Sequence, residues 1–135
     1  MARKEPRWLS VATVEALHDA LVRRFGGSLG LRDRALLESA LARAPHRFHY
    51  AEGVDHPSLA ATLAFGIAKN HPFVDGNKRA AWMVAATFLE INGYHVTAPE
   101  PEVVISMVAL ASGEMSESAF ADWLRANTSR QRRSR

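Results

Sequence analysis

The segment His71-Pro72-Phe73-Val74-Asp75-Gly76-Asn77-Lys78-Arg79 lies between two apolar stretches that both have helical spacing. The residue before a proline is disfavoured in the α region, so we predict that the first helix stops at His71 and that this residue is extended. Asn77 has the chemistry of a helix N-cap, and we predict that the second helix begins there. The segment is therefore predicted to be a short loop between two helices of the core.

Two residues of this loop have the chemistry of a catalytic site. Histidine is the commonest general base because its pKa lies near working pH, and we assign that role to His71. Asp75 is a hard oxygen ligand suited to Mg²⁺, which is usually held by one or two carboxylates together with substrate phosphates. Phe73 is apolar and is predicted to anchor the loop in the core.

The second half of the loop has the chemistry of an anion site. Gly76 can adopt backbone angles that other residues avoid, and the free N–H groups of a helix starting at Asn77 favour a bound phosphate. Lys78 and Arg79 add positive charge beside that site. Taken one by one, these residues are also typical of an ordinary turn followed by a solvated helix start. The residue types alone therefore leave both interpretations open.

The segment resembles the signature of the Fic/Doc superfamily, His-x-Phe-x-(Asp/Glu)-(Gly/Ala)-Asn-(Gly/Lys)-Arg, and it meets every fixed position. The resemblance is closest to the Doc, or death-on-curing, branch, because Lys78 stands where adenylylating Fic enzymes have glycine. Trp82 stands where those enzymes have a second arginine. Further stretches resemble Doc proteins, and the likeness covers about residues 8–125: Leu17-His18-Asp19, Phe25-Gly26-Gly27, Ile91-Asn92-Gly93-Tyr94 and Ala111-Ser112-Gly113-Glu114.

The resemblance implies a toxin that transfers the γ-phosphoryl group of ATP to a hydroxyl of a translation factor similar to elongation factor Tu. It assigns catalysis to His71, Asp75, Lys78 and Arg79, with Mg²⁺ on Asp75. Nucleotide binding falls to Gly76, Asn77, Lys78 and Arg79, and residues 46–54 are expected to act as a flap that aligns the target. Two other functions stay open, namely AMP transfer of the Fic type and a non-catalytic binding module or RNA-contacting protein.

An inhibitory motif known in the superfamily, (Ser/Thr)-x-x-x-Glu-(Gly/Asn), is missing from the sequence. The one Glu-Gly pair, Glu52-Gly53, has Phe48 at the position that requires a hydroxyl. The resemblance therefore implies that inhibition comes from a separate Phd-like antitoxin.

The net charge of +3 is unevenly distributed along the chain. Residues 126–135 carry +4 and residues 1–7 carry +2, which leaves −3 on residues 8–125. We therefore expect a basic N-terminal arm (1–7), a Fic/Doc-like helical domain (8–125) and a disordered arginine-rich tail (126–135). Because a nucleic-acid site needs a basic patch on the folded body, direct nucleic-acid binding is not expected.

The rest of the chain is predicted to be an all-α, compact, single-domain bundle of about six helices with a central apolar helix. Composition supports a globular protein, with 47% hydrophobic residues and no cysteine. Neither a secretory signal nor a stretch able to cross a bilayer is apparent, so we expect a cytoplasmic protein with no membrane partner. The predicted helix starts and stops are Ser10 to Gly26-Gly27, Asp33 to Pro45, Pro57 to His71, Asn77 to Asn92-Gly93, Pro101 onward and Ser116 onward, with Tyr94–Thr97 extended.

Overall fold

The computed structural model describes residues 4–131. Within that range the chain forms six α-helices and one antiparallel two-stranded sheet. The all-α prediction is confirmed, and the strands add only three residues each. The elements are α1 (Val11–Phe25), α2 (Arg34–Tyr50), α3 (His56–Asn70), α4 (Asn77–Ile91), β1 (Tyr94–Val96), α5 (Glu100–Ser112), α6 (Glu117–Ala126) and β2 (Thr128–Arg130).

Helices α3 and α4 form the centre of the bundle, and the motif loop joins them. Ten residues of α3 are buried, from Pro57 to Ala68, and α4 adds the fully buried Phe88 and Leu89. Helices α2 and α3 approach closely, since a Cβ on Gly66 would lie 3.1 Å from both the Cα and the Cβ of Ala40. The orientation of α3 is therefore set by close backbone packing rather than by long side chains.

Local capping explains where most helices begin. Ser10 and Ser116 accept hydrogen bonds from the main-chain N–H groups of Thr13 and Ala119. These serines satisfy donors that the first turn leaves without a helical partner. Asp33 does the same for α2, so the predicted starts of α1, α2 and α6 are confirmed.

The start of α3 is also capped, by Asp55, which further forms an ion pair with Arg125 of α6 at 2.8 Å. Partial burial raises the pKa of Asp55, but hydrogen bonds from Arg125 and Ser58 and the charge of Arg125 outweigh that effect. The pKa falls from 3.8 to about 2. The carboxylate therefore stays charged and ties the beginning of α3 to α6.

The predicted end of α2 at Pro45 was wrong, because the helix continues to Tyr50. A proline inside a helix removes one hydrogen bond and costs about 3 kcal/mol. Contacts made by later residues compensate for this cost. Phe48 is buried, and Arg47 donates a hydrogen bond to Thr62 at 2.9 Å. Residues 46–50 are therefore helical, and the predicted loop over 46–54 shortens to the connection between α2 and α3.

The buried face of α1 does not extend to its last residue. Phe25 is 51% exposed, whereas His18 and Val22 are buried together with Val14.

The predicted disordered tail was wrong for residues 126–131. Ala126 ends α6, and Thr128–Arg130 form β2, which pairs with β1 in the register Tyr94↔Arg130. The first strand thus offers backbone donors and acceptors that order this stretch. The N-terminal arm is also packed from residue 4 onward, with Pro6 buried. Residues 132–135 and 1–3 lie outside the described part.

Among residues 4–131, no helix has both the length and the apolar character that crossing a membrane requires.

Candidate active site

The loop between α3 and α4 begins with a residue in an unusual backbone conformation. His71 has φ 50° and ψ 56°, in the left-handed region, so the predicted extended geometry was wrong. Its N–H donates to the carbonyl of Ile67 at 3.1 Å, which closes the last turn of α3 as a left-handed C-cap does. Helix α3 thus stops where predicted, and the His71 side chain is exposed at its end.

A neighbouring segment holds the start of the loop in that conformation. The guanidinium of Arg32 donates to the carbonyls of His71 and Asn70, both at 2.8 Å. The N–H groups of Arg32 and Asp33 both donate to the carbonyl of Pro72. A non-glycine residue at positive φ costs of order 1–3 kcal/mol. The hydrogen bonds that Arg32 and Asp33 donate to the carbonyls of His71 and Pro72 offset that cost and fix the position of His71.

Phe73 anchors the middle of the loop in the core, as predicted. Its side chain is 2% exposed and stacks on the ring of His18 from α1, with centroids 3.8 Å apart. The Asn77 side chain accepts a hydrogen bond from the Phe73 N–H and donates one to the Phe73 carbonyl, both at 3.0 Å. Asn77 therefore closes the loop on itself, and its predicted role as the N-cap of α4 was wrong.

The carboxylate of Asp75 is oriented by main-chain donors. Oδ2 accepts from the N–H of Ser28 at 3.2 Å, and Oδ1 accepts from the N–H of Gly76 at 2.9 Å. The approach is close, since a Cβ on Gly27 would lie 2.8 Å from Oδ2. A carboxylate has about four acceptor positions, and Asp75 is exposed. Two of these positions are thus free for a hard cation, which fits the predicted magnesium ligand.

Gly76, not Asn77, caps the start of α4. It has φ 72° and ψ 25°, in the left-handed region that favours glycine. No side chain caps this helix or α5, whereas α1, α2, α3 and α6 each have one. The first-turn N–H groups, which begin with that of Asn77, therefore have no capping side chain and carry the positive end of the helix dipole.

The two cations that follow are exposed and have no acidic partner among the described residues. Lys78 forms no ion pair in this part of the chain. The guanidinium of Arg79 lies over the ring of Phe25, 4.7 Å from its centroid. Arg24 stands over the same ring at 5.3 Å. Two cations without an ion-pair partner in the described part of the chain thus lie beside the helix start.

The six predicted site residues lie within the nine consecutive positions 71–79. Two residues that hold this loop in place, His18 and Arg32, were not predicted to do so. His18 lies in the Doc-like stretch Leu17-His18-Asp19, but nothing in the sequence connected it to the loop. In the structure it bonds to the carbonyl of Asp75 at 2.7 Å. Arg32 was missed entirely. The cluster Gly26-Gly27-Ser28-Leu29-Gly30 beside it was the available signal, because several glycines together indicate backbone that must pass close to another group.

Two cavities of about 550 Å³ lie elsewhere in the described part. One is lined by residues of α2 and α3, including Arg43 and His46, and the other by residues around Asn92 and Gly93.

Comparison with known proteins supports the family expected from the motif. The model of the Fic/DOC family matches residues 8–89. Protein kinase doc of Escherichia phage P1 is 39% identical over 119 residues, which cover 88% of this chain and 94% of the relative. Toxin Doc of Mycolicibacterium smegmatis is 51% identical over 78 residues, which cover 55% of this chain and 58% of the relative.

A weaker likeness exists to a solved structure, the ADP-bound N-terminal Fic domain of a Bartonella quintana effector protein. The two are 17% identical with a TM-score of 0.48, over 71% of this chain and 49% of that chain. A TM-score below 0.5 does not support a relationship by itself, so the family of this chain is identified by the family model and by the phage P1 relative. The chain belongs to the Fic/DOC family.

Proposed function

We propose that this protein is a toxin that transfers the γ-phosphoryl group of ATP to a hydroxyl group of a translation factor similar to elongation factor Tu. Its similarity to a protein named as a kinase and to one named as a toxin supports this proposal. The observation that carries it is the start of α4, where an uncapped helix, two unpaired cations and an oriented carboxylate meet.

The residues divide the work of phosphoryl transfer between them. His71 takes the proton from the acceptor hydroxyl, whose oxygen then bonds to the γ-phosphorus. The bond from that phosphorus to the β–γ bridging oxygen breaks, and ADP leaves. The first-turn N–H groups of α4, with Lys78 and Arg79, stabilise charge on the phosphate oxygens, which is most of what a protein contributes to this reaction.

Gly76 contributes its backbone conformation rather than a donor. Its N–H already donates to Asp75, so we assign phosphate contacts to the N–H groups after it. Asp75 is the residue that would hold Mg²⁺, and a bound Mg²⁺ would neutralise charge on the phosphates. The donors from Ser28 and Gly76 keep the carboxylate in one orientation for that purpose.

Transfer of AMP is the alternative reaction for the same loop. Lys78 disfavours it because a side chain stands where adenylylating relatives have none. Trp82, at the position of their second arginine, packs edge-on against Trp123 of α6 at 5.9 Å. The side chain at position 82 therefore packs within the helical bundle and supplies no positive charge that could bind a nucleotide.

Label transfer distinguishes the two reactions. Purified elongation factor Tu is incubated with this protein, Mg²⁺ and ATP labelled at either the γ- or the α-phosphate. We expect γ-label on the factor and no α-label, and none with the His71→Asn variant. Transfer of α-label would assign AMP transfer instead. Absence of both labels on the factor, and on every protein of a bacterial extract, would contradict the proposed function.

We also propose that a Phd-like antitoxin inhibits this cytoplasmic protein. The missing internal inhibitory motif supports a separate inhibitor, and a short disordered segment that becomes helical on binding would suit a helical bundle. Expression of the chain alone should stop growth, and co-expression with the product of an adjacent gene should restore it. Harmless expression of an active enzyme would contradict the toxin assignment while leaving the transferase assignment intact.

A further inference from the structure

Two basic segments that are far apart in sequence meet on one face of the protein. The N–H of Arg7 donates to the side-chain oxygen of Asn92 at 2.8 Å, and the Asn92 amide donates to the carbonyl of Arg7 at 3.0 Å. From the other side, the N–H of Gln131 donates to the carbonyl of Gly93 at 2.8 Å. Asn92 and Gly93 thus hold the stretch that begins at Lys4 next to strand β2.

The side chains around this junction give it a positive charge. Lys4, Arg7 and Arg130 all line a cavity of about 550 Å³ over Asn92 and Gly93. None of these three cations has an ion pair with a described residue. The sequence continues beyond Gln131 with Arg132, Arg133 and Arg135. Lys4, Arg7 and Arg130 therefore place three positive charges at the junction, whereas residues 8–125 carry −3.

The acidic side chains nearby are occupied by other groups. Glu5 lines the cavity, but its carboxylate accepts from the indole N–H of Trp8 at 2.8 Å and faces His49 at 3.3 Å. Glu90 accepts from the Gln131 amide at 2.9 Å and from the N–H of Val96 at 3.0 Å. Neither carboxylate forms an ion pair with Lys4, Arg7 or Arg130, and Glu5 is the one acidic residue among those that line the cavity.

An imidazole and a phenol complete the environment. His56 lines the cavity and bonds to the hydroxyl of Tyr94 at 3.3 Å. Arg130 donates to the same hydroxyl at 3.1 Å and lies over the Tyr94 ring at 5.0 Å. Burial and then the charge of Arg130 lower the pKa of His56. Tyr94 does not itself line the cavity and its ring is covered by Arg130, so the groove offers cations to a phosphate backbone rather than a ring on which a base could stack.

We propose that this junction, defined by Lys4, Arg7, His56 and Arg130, binds the phosphate backbone of single-stranded nucleic acid. The sequence predicts no basic patch on residues 8–125, and the cations of this junction come instead from the two terminal segments, which β1 and β2 bring together. The site lies apart from the motif loop, so this binding is independent of ATP and of the proposed transfer reaction.

The test measures binding of the full chain to a fluorescein-labelled 20-nucleotide RNA of mixed sequence by anisotropy, without ATP, at several salt concentrations. The variant Lys4→Gln/Arg7→Gln/Arg130→Gln removes three charges and leaves the main-chain bonds to Asn92 and Gly93. We expect about tenfold or more weaker binding near 0.1 M salt. The slope of log affinity against log salt should fall by about 2, since each phosphate contact to a single strand contributes about 0.7.

Two further variants make the result specific. The control Ser39→Glu/Ala42→Glu/Ser118→Glu changes the net charge by the same amount at exposed positions elsewhere, and it should keep most of the affinity and the slope. Arg132→Gln/Arg133→Gln/Arg135→Gln should weaken binding without abolishing it. Thermal unfolding checks that each variant is folded.

Several outcomes would overturn the proposal. One is that the parent protein does not bind RNA at low salt. Another is that the triple variant and its charge control lose RNA affinity equally. A third is that the Arg132, Arg133 and Arg135 substitutions alone abolish RNA binding. Polyglutamate of the same charge is the second probe. If it binds as tightly as RNA and competes fully, the site recognises acidic protein and not nucleic acid.

Discussion

His18 donates a hydrogen bond from Nε2 to the main-chain carbonyl of Asp75 across 2.7 Å. The carbonyl can only accept, so this nitrogen carries the proton. The histidine is 1% exposed, and its ring lies nearly parallel to that of Phe73. Helix α1 therefore holds both the core anchor of the motif loop and the backbone of its acidic residue.

We expect His18→Phe to separate these two contributions. Phenylalanine can still stack on Phe73 but cannot donate to Asp75, and loss of a buried hydrogen-bond partner costs about 1–3 kcal/mol. The free energy of unfolding in urea should fall by that amount, and by more for His18→Ala, which also loses the stacking. Phosphoryl transfer should fall with both variants. Unchanged transfer by a folded His18→Phe protein would show that the bond does not position the loop.

Replacement of His71 should remove transfer and retain the fold. We choose His71→Asn because asparagine tolerates the left-handed conformation better than alanine does. A general base contributes about 10²–10⁴-fold to rate, so single-turnover transfer should fall by that factor while the melting temperature changes little. Val74→Ala, at an exposed position in the same loop, is the control and should remain active. Full activity of His71→Asn would mean that another group takes the proton.

Gly27→Ala and Gly30→Ala form a matched pair. The two glycines have φ of 112° and 106°, so alanine is strained to a similar extent at either position. Only the Cβ at Gly27 would collide with Asp75, since nothing lies within 4 Å of the one at Gly30. Both variants should lose about 1–2 kcal/mol of stability. Transfer should fall much further in Gly27→Ala, and the Mg²⁺ concentration for half-maximal rate should rise only there.

Acid stability should depend on Asp55. Its pKa is lowered from 3.8 to about 2 in the folded protein. The charged form therefore contributes stability that is fully present above about pH 4 and is lost as the pH falls toward 2. Asp55→Asn keeps an oxygen to cap α3 but has no charge for Arg125. Its unfolding free energy should be lower than that of the parent at pH 5, and the difference should shrink between pH 4 and pH 2.

The features that were predicted correctly depend on contacts close in sequence. Ser10, Asp33 and Ser116 each bond to an N–H three residues later, so a short window contains the whole interaction. The motif was predictable for a related reason, because its residue types lie within nine consecutive positions.

The features that were missed depend on distant partners. Helix α2 continues past Pro45 because Arg47 finds Thr62 and Glu117 on two other helices. Strand β2 forms because it pairs with β1. Asn77 does not cap α4 because its side chain is hydrogen-bonded to the backbone of Phe73 instead. Local propensity cannot reveal such interactions, because in each case a tertiary contact overrides the conformation that the local sequence prefers.

The tight packing of Gly66 against Ala40 has a consequence for genetics. Gly66 lies on α3, five residues before His71, which caps the end of that helix, and a single methyl group at Gly66 would press on the backbone of α2. Such a change would displace the end of α3, and with it the imidazole, without altering the motif. If cells that survive expression of the protein are sequenced, inactivating substitutions should therefore be found at Gly66 as well as in residues 71–79.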